Sequence, residues 1–251
     1  MDDDLPDPIP AATLILMRPS AAGGPPEILM LERAQTMAFA AGALVFPGGR
    51  IDPEDEAMAS AFPQFADAAA RVAAVRETIE ETGVAPALVP RPGAAALRRG
   101  LAAGRPFADL LASMGLTLDL EALTPFARWC PNFREARRFD TLFYLAEAPA
   151  GGRLVHSADE TESVHTFWAG AAEVLAEIEA GRAKAIFPTR RNLERLARFG
   201  SLAEAQADAG LHPVVKITPW VEERGGRRFV CIPEGIGYPV TEEPYESARR
   251  R

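Results

Sequence analysis

"RETIEETG", residues 76–83, crowds an arginine and three glutamates (Glu77, Glu80 and Glu81) into six positions and then stops at a glycine. The alanine-rich stretch leading into it reads as a helix from Asp67 to Thr82, and Gly83 stands where a C-cap glycine belongs. At 100° per residue, Ala68, Val72, Val75 and Ile79 fall in one narrow arc, the face that packs on a sheet. The three glutamates fall on a second arc of about 100°, nearly opposite the first. Arg76 lies one turn before Glu80, within reach to pair with it and fix its rotamer. Each like-charge neighbour costs a helix roughly 0.2–0.5 kcal/mol, so a solvated surface helix would intersperse lysines. There is no lysine between 67 and 82. Three carboxylates on one face suit a hard divalent cation, which takes oxygen ligands and keeps some waters. Magnesium or manganese fits; zinc would call for His or Cys partners, and His156, His165 and His212 show no ligand spacing.

Composition bounds what surrounds this helix. The chain has 251 residues, 48% apolar and 25% charged, as in a soluble globular domain with room for insertions. No apolar run approaches the roughly 18 residues of a membrane span. The acidic, proline-rich "MDDDLPDPIP" is unlike a secretory signal, and residues 1–10 read as a frayed tail. Two cysteines, Cys130 and Cys231, make no disulfide framework in a chain of this length, so a cytoplasmic setting is expected. Cys130 as a nucleophile is set aside, since no histidine has a sequence relation to it. The net charge of −8 argues against nucleic acid, which needs a basic face. A small phosphorylated ligand needs only a local cluster of positive charge.

Along the chain, 12–18 and 27–33 read as strands around the loop "PSAAGGPP", and "ALVF" (43–46) leads into "PGGR". Residues 85–120 look like an insertion with short helices at 94–103 and 106–114. "FARW", 138–147 and 163–169 read as further strands, followed by helices at about 170–180, 189–199 and 201–208. A hairpin turning near Gly225–Gly226 closes the chain, and "YESARRR" reads as disordered. Mixed strands with interspersed helices indicate a layered α/β or α+β fold.

Upstream of the helix, "FPGGRIDPED" (46–55) carries a diglycine that lets backbone approach a ligand closely, as only glycine can. Together the two segments resemble the Nudix box, G-x5-E-x7-R-E-U-x-E-E-x-G-U. Gly49 takes its first position, and Arg76, Glu77, Glu80, Glu81, Gly83 and Val84 take the last part in register. Asp55 stands where the family usually has Glu, with Glu56 beside it, and Thr78 replaces the apolar U. Twenty residues (56–75) separate Asp55 from Arg76, thirteen more than in the common box. A split box of this kind resembles the branch that includes the peroxisomal coenzyme A diphosphatases. In "LERAQTMAFAAGALVFPGG" (31–49), Arg33, Ala34, Gly42 and Phe46–Gly49 keep the spacing of the coenzyme A signature, with Ala38 in place of its second arginine. "FARWCPNFREARRFDTLFYL" (126–145) is similar to that branch's W-x-T-P and R-R-F-D-T segment, with Cys130 and Pro131-Asn132 as departures. "IFPTRRNLERLARF" (186–199) is similar to its downstream helix.

The resemblance implies a Nudix-type α/β/α sandwich with a mixed sheet, helical insertions at about 56–68 and 85–120, and a C-terminal β-hairpin, in one domain spanning 11–251. It implies metal-dependent hydrolysis of a pyrophosphate bond in a nucleoside diphosphate derivative, with Mg2+ or Mn2+. Coenzyme A or its acyl esters, cut to 3′,5′-ADP and a phosphopantetheine, are the expected substrates. ADP-ribose, NADH or another dinucleotide is the alternative, as is a nucleotide-sensing module without turnover. Glu80 and Glu81 are the leading metal ligands, Glu77 is a third ligand or the base, and the Gly49 carbonyl completes the set. Asp55 and the "DETES" acids Glu160 and Glu162 are candidate additional acids, against plainer roles as a helix N-terminal charge and a solvated loop. Arg33, Arg134, Arg137 and Arg138 are candidate phosphate contacts, and Phe133 or Phe39 a stacking ring. The expected partner is a small molecule, not nucleic acid or membrane, with a homodimer as an allowed assembly.

Overall fold

The computed structural model describes residues 7–33, 42–131, 138–150 and 165–249. The first half of the chain contains β1 (Ile9–Arg18), β2 (Glu27–Glu32), β3 (Ala43–Val45), β4 (Gly48–Arg50), α1 (Pro53–Ala59) and α2 (Ala68–Thr82). The segment that follows forms β5 (Leu88–Val89), α3 (Ala94–Ala102), α4 (Phe107–Ser113) and β6 (Thr117–Leu118), with β5 and β6 paired only to each other. Then come β7 (Thr124–Trp129), β8 (Phe139–Glu147), β9 (His165–Gly170), α5 (Ala171–Glu179), β10 (Lys184–Ala185), α6 (Phe187–Leu196) and α7 (Leu202–Leu211). The chain ends in β11 (Lys216–Ile217), β12 (Trp220–Arg224), β13 (Arg227–Cys231), β14 (Glu242–Pro244) and α8 (Tyr245–Arg249).

Among the described residues, nine strands join in one mixed sheet with the path β10-β3-β2-β1-β8-β7-β11. β4 adds to β1, and β9 to β2. The central pairing is parallel, β1 to β8, in register from Ile9↔Phe139 to Met17↔Glu147. Ala11 through Met17 are all buried, the continuous apolar run of a strand covered on both faces. One face of β1 (Ala12, Leu14, Leu16) packs with α2, α3 and α4 through Val72, Val75, Ile79, Leu97, Phe107 and Leu110. The other face (Ile15, Met17) packs with α5, α6 and α7 through Val174, Ile178, Leu193, Leu196 and Ala205. Two helical layers therefore enclose a mixed sheet, an α/β/α sandwich.

Three local expectations need correction. The tail expected over 1–10 already contains strand, because Ile9 donates its N–H to the Arg138 carbonyl at 2.8 Å and Pro10 O accepts from Ile51. α6 begins at Phe187 rather than 189, since Pro188 falls in the first turn, where its missing N–H costs nothing. The end expected to be disordered forms α8 over Tyr245–Arg249, with Tyr245 and Ala248 packed on the α5–α7 core. Beyond these expectations, the "PGGR" stretch adds a strand: Gly48, Gly49 and Arg50 pair antiparallel with Thr13, Ala12 and Ala11. The hairpin tip is as expected: Gly225 and Gly226 both take positive φ (58° and 73°), which a two-residue turn of this hand requires.

Candidate active site

The site assembles where α2 meets β4. α2 is fixed at its start by Asp67, whose carboxylate accepts from Tyr144 Oη of β8 at 2.8 Å and from Arg71 Nε at 2.9 Å. Its end is closed by Gly83 at φ 68°, whose N–H returns to the Ile79 carbonyl at 2.9 Å. The helix is buried around most of its girth; even Thr78, at the position usually apolar, is fully buried and donates Oγ1 to the Ala74 carbonyl at 2.7 Å. The glutamate arc is the part left to face β4.

There the backbone of β4 touches the acids directly. Gly48 donates its N–H to Glu81 Oε2 at 2.9 Å. A Cβ on Gly49 would fall inside the Glu77 carboxylate, so only glycine lets that strand and that side chain occupy their places. Arg76 is the hub behind them. It makes a two-pronged pair with Asp55, Nε to Oδ1 at 3.0 Å and Nη2 to Oδ2 at 2.8 Å. Its Nη2 also donates to the Arg50 carbonyl at 3.0 Å, and Nη1 donates to Glu77 Oε1 at 2.9 Å and to both Glu80 oxygens at 3.4 Å. One guanidinium thus ties α1, β4 and α2 together, with the fork geometry suited to carboxylates.

The electrostatics follow from burial. The Glu77 carboxyl is pushed up to about 7, chiefly by desolvation, with Arg76 pulling it down and Glu80 pushing it further up. Glu81 is pushed up to about 8 by burial, against the Gly48 N–H, which lowers it; Glu77 raises it and Arg33 lowers it. Glu80, with a side chain 35% exposed, is raised too, again mainly by desolvation. Burial alone would lower Arg76, but Asp55, Glu77 and Glu80 outweigh it and hold the guanidinium charged.

Gly49, Arg76, Glu77, Glu80, Glu81 and Asp55 are brought together, and Arg33 is near enough for its charge to act on Glu81. Asp55 is 1% exposed and engaged on both oxygens, by Arg76 and by the Asp52 N–H, so it orients rather than faces a ligand. Arg138 stands beside Cys130, donating Nη2 to its Sγ at 3.5 Å. Arg134, Arg137, Glu160, Glu162, Ala38, Phe39 and Phe133 lie outside the described residues. Asp55 does stand in the first turn of a helix, α1, the plainer role weighed for it, and "DPED" carries that signal as an N-cap Asp, a proline in the first turn and an acid at N3; its pairing with Arg76 was not read from the sequence. A cavity of about 590 Å³, lined by Leu44, Phe167, Val174 and Lys184 among others, opens instead on the α5 side of the sheet.

The donor set, carboxylate and carbonyl oxygen without nitrogen or sulfur, has the chemistry of a magnesium or manganese site. As the side chains stand, no three acids among the described residues are gathered closely enough to enclose a cation. Arg76 Nη1 lies between Glu77 and Glu80, and Glu81 is directed at Gly48. Metal ligation would require Glu80, the most exposed of the three and the most loosely held, to turn from Arg76.

No family model matches the chain. Among solved structures, it is similar to a Nudix hydrolase from Alicyclobacillus acidocaldarius at 30% identity and TM-score 0.69, covering 80% of this chain and 96% of that one. It is more distantly similar to a MutT Nudix hydrolase from Burkholderia pseudomallei (18% identity, 75% and 98% covered, TM-score 0.43). A MutT protein from Methanosarcina mazei stands at the same distance (16%, 78% and 97%, 0.44). The first of these, at 30% identity over nearly all of its length, shows the family: the chain belongs to the Nudix hydrolases.

Proposed function

We propose that this enzyme hydrolyses the pyrophosphate bond of a nucleoside diphosphate derivative with Mg2+ or Mn2+, and that its substrate is coenzyme A or an acyl-coenzyme A. The observation that carries the reaction class is the meeting of β4 and α2, where the Gly48 N–H reaches Glu81 and Gly49 abuts Glu77. Glu77, Glu80 and Glu81, with the Gly49 carbonyl, would hold the metal. Once bound, the metal would neutralise the phosphate oxygens and lower the pKa of a bound water. Arg76 and Asp55 orient the acids, and Glu77 serves as ligand or as the base that takes the water's proton.

For the substrate, support comes from the segment preceding β4: Arg33, Gly42 and Phe46–Gly49 keep the spacing of the coenzyme A signature, and Arg33 acts on Glu81. The 3′-phosphate offers a dianion that a local arginine group can select even in an acidic protein. One comparison tests this. Coenzyme A, dephospho-coenzyme A, ADP-ribose and NADH are incubated under one metal condition and the products identified by mass. 3′,5′-ADP and phosphopantetheine are expected. Cleavage of ADP-ribose or NADH with coenzyme A left intact would remove the substrate reading and leave the pyrophosphatase reading in place.

A further inference from the structure

The carbonyl of Glu80 lies in the last turn of α2, where a continuing helix would supply the N–H of residue 84. Val84 does not supply it: its N–H donates to Thr82 Oγ1 at 3.0 Å, and that hydroxyl in turn donates to the Thr78 carbonyl at 2.6 Å. The Glu80 carbonyl instead accepts Nε–H from Arg98 at 3.1 Å. Arg98 belongs to α3, in the segment between α2 and β7. α3 is itself braced, with Leu97 fully buried against the α2 core and Gly100 placed where Leu110 of α4 leaves no room for a Cβ. A cation also complements the negative end of the helix dipole. The target of Arg98 is the peptide that joins Glu80 to Glu81, whose side chains diverge, one to Arg76 and the other to Gly48.

We propose that Arg98 is a positioning residue: it fixes the Glu80–Glu81 peptide, and through it the 85–120 segment sets how the acidic face binds its divalent cation. The inference rests on the functional reading above, so it is tested partly without metal or turnover. In Arg98→Ala, amide exchange of Gly48, protected by Glu81, should quicken roughly threefold to tenfold, the worth of one net hydrogen bond. The Mn2+ dissociation constant, read by electron paramagnetic resonance, should rise by a similar factor. Turnover should fall with KM little changed, and Arg98→Lys should recover most of the loss. If Arg98→Ala does not fold, Arg98→Met keeps the aliphatic stem and removes the donor, with the same readouts expected. Unchanged Gly48 exchange and Mn2+ affinity, with only the melting temperature lowered, would overturn the proposal. A wild-type chain that neither binds Mn2+ nor cleaves a pyrophosphate would overturn the functional reading, while Gly48 exchange would still decide the role of Arg98.

Discussion

Glu81 is a part-buried carboxyl that accepts the backbone N–H of Gly48, and that combination makes two outcomes predictable. Glu81→Gln keeps an acceptor for Gly48 but removes the charge. The fold should persist, while Mn2+ affinity and turnover fall by more than the roughly 10–100-fold seen when a ligand's supporting partner is removed. Near wild-type turnover at saturating metal would exclude Glu81 from the site. The second outcome concerns pH. Glu77 and Glu81 sit at about 7 and about 8 in the fold against a usual value of 4.5, so between these limits the folded chain holds more protons than the unfolded one. Stability of the metal-free protein should therefore fall as pH rises from about 4.5 to about 8. Melting temperatures measured in chelator across that window should show the slope, Glu81→Gln should flatten it, and Mn2+ should reverse the loss at the upper end. Gly49→Ala is a third test, because the added methyl would displace the Glu77 carboxylate and turnover should drop with it.

Between elements, the Asp55–Arg76 pair closes α1 against α2. Removing one partner of a buried ion pair leaves the other charge stranded, at a cost of about 3–5 kcal/mol. Asp55→Ala should lower the denaturant midpoint accordingly and loosen Glu77 and Glu80, which Arg76 holds; an unchanged midpoint would mean α1 is dispensable. The helices and long strands were legible because their signals are local: α2 from its periodicity and Gly83, β1 and β8 from unbroken apolar runs. β4 was not, because two glycines argue against strand and only pairing with β1 makes it one. The same holds for β10, two residues that exist by parallel pairing to β3. The acids of the site and the Arg76–Glu80 contact could be read from spacing, but not the distant partners: Asp55 and Arg76 are 21 residues apart, Gly48 and Glu81 33. α8 gave no sign in its composition; packing on the core orders it.

Across the whole molecule, polar links in the second helical layer join the sheet to the C-terminal strands. Trp129 Nε1 of β7 donates to Tyr238 Oη at 3.0 Å, and Tyr238 donates to Asn192 Oδ1 of α6 at 2.7 Å. Nearby, Arg191 of α6 reaches Glu243 of β14 at 3.1 Å, and Arg195 pairs with Asp208 of α7 at 2.7 Å. Tyr238→Phe strands the Trp129 donor and the Asn192 acceptor in a buried place, which should cost about 1–3 kcal/mol. Calorimetry should show that loss while kcat and KM stay at wild-type values, since these residues lie in the layer across the sheet from α2. A fall in kcat at unchanged KM would mean the two layers are coupled.

The chain between Asp55 and Arg76 leaves from the one and is closed by its pairing with the other, with Met58, Phe62 and Phe65 laid on the α2 core. Loop-closure entropy grows slowly, by about 0.6 kcal/mol per doubling of length, and here the excursion's own apolar contacts work against even that. Its length is therefore almost free to drift over evolutionary time, while the chemistry at both ends of the clasp is not. Distant relatives of this chain would be recognised by which side chains must shake hands, an acid before the excursion and an arginine after it, and a ruler counting residues between them would pass such relatives by.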